Sequence, residues 1–121
     1  MTNIALGDAG EKAVKDYLIL NGYKVLATKY RTVTGEVDII AKVKGTIVFI
    51  EVKTRSSNQY GSPAEAVTFS KQRKIIQTAL SYLKQTAQVD APVRFDVVEV
   101  WMDLNGGRVR LNHIINAFGE R

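Results

Sequence analysis

Two short segments carry the residues whose types and spacing could do chemistry. In Gly35-Glu36-Val37-Asp38-Ile39-Ile40 acids interrupt an apolar run, and in Ile50-Glu51-Val52-Lys53 an acid and a lysine close another. Side chains on a strand alternate faces, so Glu51 and Lys53 point the same way, and a hairpin through Lys44-Gly45 brings Asp38 opposite them. All three are then expected to line one pocket. Phosphodiester hydrolysis needs the phosphate charge neutralised, a water deprotonated and the leaving oxygen stabilised, which oxygen-ligated Mg²⁺ can supply. In that chemistry Asp38 and Glu51 are metal ligands, the Val52 carbonyl adds a neutral ligand, and Lys53 orients the attacking water or stabilises developing charge. A lone Glu-x-Lys is more often an exposed ion pair at a strand end. Here the charges stand where burial is expected, and a costly desolvated charge needs a partner or a task, so Asp38 at the matching place favours a site.

The elements that must position these residues follow from periodicity. Leu6, Ala9, Ala13, Val14, Tyr17 and Leu20 recur at helical spacing and Asn21-Gly22 stops the run, which predicts an amphipathic helix from Leu6 to Leu20. Strands are expected over Tyr23 to Arg31 and Glu36 to Ala41, with a turn at Thr34-Gly35 between them. A third runs from Thr46 to Lys53, and its continuous core Ile47-Val48-Phe49-Ile50 suits a strand buried on both faces. Thr54 to Pro63 reads as a polar loop. Ser70 then caps a helix to about Gln85, whose buried side is Ile75, Ile76, Ala79, Leu80, Tyr82 and Leu83. Lys71, Arg73 and Lys74 crowd the first turn of that helix, the wrong end for cations, and call for an anion nearby. Val93 to Met102 and Arg108 to Ile114 form a last strand pair around Asn105-Gly106-Gly107. The whole is one α/β domain over residues 1–121, a mixed sheet of about five strands flanked by helices.

Composition narrows the chemistry further. The chain has no cysteine, which excludes disulfides, thiolate metal sites and a cysteine nucleophile and leaves hard oxygen ligands. Its 17 Lys and Arg against 12 Asp and Glu give a net charge of +5, which suits a polyanion such as nucleic acid. Arg31, Arg55, Lys71, Arg73 and Lys74 are candidate phosphate contacts, with Tyr60 stacking or packing beside them, although each alone is more often a solvated charge. Glu11 lies at the edge of the buried stripe of the first helix and can reach over the sheet, or simply favour the helix dipole. Glu36 shares the Asp38 face by parity. Arg94 and Asp96 are expected to pair beneath the site. His113 and Trp101 read as packing residues, with Trp101 in the core or on a dimer surface. Met1 to Gly10 has neither a basic nor an apolar signal region and no apolar run approaches the roughly 20 residues of a membrane span, so a cytoplasmic location without membrane contact is expected.

The chain also resembles, nearly end to end, the YraN family of bacterial proteins, described as predicted endonucleases similar to archaeal Holliday junction resolvases. The resemblance is carried by Gly7-Asp8-Ala9-Gly10-Glu11 with Ala13, Gly35-Glu36-Val37-Asp38-Ile39-Ile40-Ala41, Val48-Phe49-Ile50-Glu51-Val52-Lys53-Thr54-Arg55, Tyr60-Gly61, Lys71 and Arg94-Phe95-Asp96-Val97-Val98. It implies a restriction-endonuclease-like PD-(D/E)xK fold, with Asp38 as the first acid and Glu51-Val52-Lys53 as the E-x-K. Gly35-Glu36-Val37 departs from that motif by lacking its proline. The resolvases add a glutamate from an N-terminal helix to the metal site, which places Glu11 with the catalytic and metal-binding residues. The expected function is then an Mg²⁺-dependent endonuclease, Mn²⁺ substituting, that cuts branched or otherwise structured DNA as a homodimer. The alternative is a nucleic-acid-binding module that keeps the fold without cutting.

Overall fold

The computed structural model describes residues 3–56, 67–103 and 109–119. In chain order these form α1 (Asn3–Leu20), β1 (Lys24–Arg31), β2 (Glu36–Val43), β3 (Thr46–Ser56), α2 (Phe69–Gln85), β4 (Val93–Met102) and β5 (Val109–Phe118). The strands make one five-stranded sheet in sequential order, antiparallel except for the central β3–β4 pair, which is parallel. A parallel pair needs a long crossover, and α2 supplies it. The mixed sheet flanked by helices is the architecture expected.

Each helix covers one face. Val14 and Leu18 of α1 pack on Ile39, Ala41, Val48, Ile50, Val98 and Val100 of the sheet. Ile75, Ala79, Tyr82 and Leu83 of α2 pack on Val37, Ile40, Ile47, Phe49, Phe95 and Val97 of the sheet, where the rings of Phe49 and Phe95 stack with centroids 5.5 Å apart. Ile47 to Ile50 are wholly buried because β3 is central and helices lie on both its faces. Lys44 and Gly45 both take positive φ, 48° and 81°, the type I′ geometry that joins β2 tightly to β3 and fixes their register.

The helix boundaries shift from expectation. α1 begins at Asn3, a turn early, because its first turn leaves Ile4 in solvent and so carries no apolar periodicity. Leu20, counted in the buried stripe, is exposed at the helix end. Thr68, not Ser70, caps α2: Thr68 is extended and its hydroxyl accepts the Lys71 N–H at 3.2 Å, while Ser70 is already helical. Within α2 Leu80 faces water and Thr78 is buried instead, its hydroxyl donating to the Lys74 carbonyl. β3 and β5 both run past their expected ends, β3 to Ser56 and β5 to Phe118. Tyr60, most of the expected loop and the Asn105-Gly106-Gly107 turn lie outside the described residues. Among the described residues no helix is long and apolar enough to cross a membrane.

Candidate active site

The site is a wedge between β2 and β3. The two strands pair from Val43–Thr46 only as far as Ile39–Ile50, after which β2 stays with β1 through Glu36 and β3 stays with β4 through Ser56. Where they part, the pleat of β2 loses strict alternation, since Val37 and Ile40 both pack under α2 while Ile39 packs under α1. Asp38 sits in this irregular step, and its Oδ2 accepts the Val52 N–H at 2.8 Å. A side chain thus replaces the lost ladder partner.

Two cavities meet at Asp38. One of about 460 Å³ opens toward α2 and is lined by Glu36, Asp38, Glu51, Lys71 and Lys74, among others. The other, about 380 Å³, opens toward α1 and is lined by Asp8, Glu11, Lys29, Asp38, Val52 and Lys53, among others. Asp38 and Glu36 border both. The expected single pocket is therefore a pair of connected hollows, with Glu51 in one, Lys53 and Glu11 in the other, and Asp38 shared. Glu51 and Lys53 stay in touch, Lys53 Nζ lying 3.7 Å from Glu51 Oε1.

The electrostatics of the acids differ in kind. Burial pushes the Asp38 carboxyl up to about 7, the Glu51 charge adds to that, and the single N–H of Val52 opposes it. Glu11 is likewise raised by burial, against the pull of Lys29, whose ammonium is 3.4 Å away. Lys53 is held below the ordinary lysine range by burial and by the neighbouring Lys71. Asp96, on the α1 side of β4, is the opposite case. Burial alone would raise it, but His113 at 2.7 Å, Nε and Nη2 of Arg94 at 2.9 Å and the Asn116 N–H at 2.9 Å hold it below its usual value. Asp96 is a saturated structural anion, the Arg94 pairing being the one expected; Asp38, with the Val52 N–H on it, borders open space beside Glu51, where a cation could sit.

Hard oxygen donors meeting at a wedge open to solvent fit a hydrated Mg²⁺ ion, which keeps several waters and takes one or two carboxylates. Asp38 and Glu51 would hold it, with Val52 and Glu11 on the α1 side as further donors. Among the described residues no three acidic or histidine side chains are already gathered as a cage.

The candidate phosphate contacts are spread unevenly. Lys71 reaches into the wedge from the first turn of α2, with Nζ 2.8 Å from Glu51 Oε1. Glu51 is thus the anion that the misplaced charge of that turn called for. Lys74 lines the same cavity. Arg73 instead lies over the Phe69 ring at 5.8 Å, and Arg31 spends its guanidinium on Glu36 at 3.0 Å on the rim. Arg55 lies two residues beyond Lys53 on β3, beside Trp101 of β4, and Trp101 carries the Arg110 guanidinium 4.5 Å from its ring centroid. His113 is buried between Asp96 and the Tyr17 hydroxyl, which lies 2.9 Å from Nδ1, and so fastens α1 to the sheet.

Sequence reasoning missed three contributors. Lys29 takes a left-handed backbone (φ 51°) on β1 and puts its ammonium 2.9 Å from Asp8, a conformation that no pattern announces for lysine. Gly10 lets α1 approach β3 so closely that a Cβ there would overlap the Thr54 side chain; its place one residue before Glu11 was the available signal. Lys71 was seen as a phosphate contact but not as the counter-ion of Glu51.

Comparison with known proteins gives a family without a stated activity. A UPF0102 protein of Clostridioides difficile is 45% identical over 118 residues, covering 98% of this chain and all of that one. One from Geobacter metallireducens is 45% identical over 116 residues, covering 96% and 93% of the two chains, and one from Desulfosudis oleivorans is 51% identical over 94 residues, covering 78% and 76%. Among solved structures, Pyrococcus furiosus SfsA in complex with Ca²⁺ aligns at 14% identity with a TM-score of 0.41 over 93% of this chain, which spans 63% of that one. Residues 10–100 match the family described as uncharacterised protein family UPF0102, and the chain belongs to that family.

Proposed function

We propose that the protein is an Mg²⁺-dependent endonuclease with a restriction-endonuclease-like core, acting on branched or structured DNA. The observation that carries this reading is the pair of neighbouring acids, Asp38 and Glu51, lining a solvent-open wedge with Lys53 beside them. A bound Mg²⁺ ion supplies charge neutralisation at the phosphate and lowers the cost of deprotonating water. Asp38 is fixed by the Val52 N–H, so its second oxygen is aimed without loss of side-chain entropy on binding. Lys53, part-buried and held below the ordinary lysine range, orients the attacking water and answers charge on the phosphate. Glu11 extends the acidic lining on the α1 side. Lys71 and Lys74 on one wall, and Arg31 and Arg55 farther out, supply the electrostatic grip on the backbone, with Arg73 as a further contact and Tyr60 as a stacking residue on the strength of its sequence alone. Shape recognition suits described residues that present no base-reading helix, and symmetric cutting of paired strands would be served by a homodimer with two sites.

A second reading, a binding module without cleavage, draws on the ion pair that already neutralises Glu51. Glu51→Gln separates the two. Cleavage by wild type that this variant loses while still binding DNA supports the enzyme; a wild type that binds junctions but cuts nothing with Mg²⁺ or Mn²⁺ supports the module.

A further inference from the structure

Glu51 Oε1 has two ammonium groups on it, Lys53 Nζ at 3.7 Å and Lys71 Nζ at 2.8 Å. Lys53 reaches it from the same strand and is mostly shielded from water. Lys71 comes from another element, makes the shorter contact, and leaves 43% of its side chain exposed against 7% for Glu51. Its ammonium can therefore swing into solvent without opening a void, and it sits at the positive end of α2, where a cation is held only by its partner. The contrast with Asp96 is instructive: there the donors are a guanidinium, a ring nitrogen and a backbone N–H, with the His113 side chain 8% exposed, and none can leave without orphaning a buried charge. The α1 side repeats the exchangeable pattern, with half-exposed Lys29 resting 3.4 Å from Glu11.

We propose that Lys71 is the resident counter-cation of Glu51, occupying the cation's place in the metal-free protein and turning to a phosphate of the bound strand when a divalent ion displaces it. The proposal rests on the metal-dependent reading of the wedge. The displaced ammonium stays in the 460 Å³ cavity beside Lys74, where the two lysines could together take a phosphate on the wall facing Glu51 and Asp38. Two consequences follow from linkage: the ammonium and the divalent ion compete for one carboxylate, and removing the ammonium must tighten the ion's binding.

The test is Mn²⁺ binding to the full chain, followed by electron paramagnetic resonance in the absence of DNA, for wild type, Lys71→Met and Glu51→Gln. The methionine keeps the packing of the lysine stem, and the exposed site leaves the fold intact, which circular dichroism checks. Lys71→Met is expected to bind Mn²⁺ about tenfold more tightly than wild type, Glu51→Gln to lose binding, and the melting temperature of Lys71→Met to rise more on adding Mn²⁺ than that of wild type. Equal or weaker Mn²⁺ binding by Lys71→Met, with wild type binding normally, overturns the counter-cation role and leaves the nuclease reading standing. No Mn²⁺ binding by wild type or by Lys71→Met overturns both.

Discussion

Asp38 Oδ2 accepts the Val52 N–H at 2.8 Å immediately beyond the last β2–β3 pair, Ile39–Ile50. The contact ties the acid of one strand to the middle residue of Glu51-Val52-Lys53 on the other, so the geometry of the wedge and the stability of the sheet end are one feature.

Asp38 makes stability depend on pH. Its folded value of about 7 stands above the ordinary 3.8, so between those values the folded state holds a proton that the unfolded chain has released. Stability from this group is complete below about pH 4 and is lost as pH rises through 7. Asp38→Asn mimics the protonated acid and keeps an acceptor for Val52. Relative to wild type it is expected to gain on the order of 2 kcal/mol between about pH 5 and about pH 8 in urea unfolding, with Mg²⁺ restoring wild type at the upper end. Parallel pH profiles for the two proteins would contradict this.

Lys53 is predicted to act on rate rather than on affinity. Lys53→Ala should lower single-turnover cleavage by at least about 10²-fold while junction affinity changes only a few-fold. Lys53→Arg should not rescue it, because a planar, longer guanidinium on that partly buried stem does not place a compact charge where the ammonium stood.

The Asp96 network is structural and should respond as such. Asp96→Asn leaves Arg94 and His113 facing a neutral group in a buried place, and should destabilise the fold by about 3 kcal/mol in urea unfolding. Asp96 has its folded pKa depressed, so its contribution is present above about pH 4 and is lost as pH falls through the folded value. DNA binding per folded molecule should not change.

Gly10→Ala tests how α1 presents Glu11. The added methyl overlaps Thr54, so α1 must lift from β3, at an expected cost of about 2 kcal/mol. Gly10→Ala combined with Thr54→Ser, which removes one of the overlapping atoms, should recover part of the loss in thermal unfolding.

The sequence displayed the architecture wherever periodicity was clean. β3 announced itself by Ile47-Val48-Phe49-Ile50 because a central strand between two helices has no polar face. Asp38, Glu51 and Lys53 stood out because charge in such strands is rare. What stayed hidden depends on local departures from regular geometry. Parity put Glu51 and Lys53 in one pocket with Asp38, but the wedge is divided in two, with Glu51 lining one hollow, Lys53 the other and Asp38 both. Lys29 reaches Asp8 through a left-handed backbone that propensity does not encode. Thr68 and Ser70 are both competent caps, and only the helix start decides between them. The Tyr17–His113–Asp96 chain joins distant segments, so His113 read as simple packing.

The most direct test of the central claim is cleavage of labelled four-way junction, flap, single-stranded and duplex DNA with Mg²⁺ or Mn²⁺ by wild type, Asp38→Asn and Lys53→Ala. The wedge predicts metal-dependent cutting by wild type, preferring a branched substrate, and its loss in both variants while binding persists. Cutting that survives both substitutions, or binding by wild type with no cutting under either metal, would contradict it.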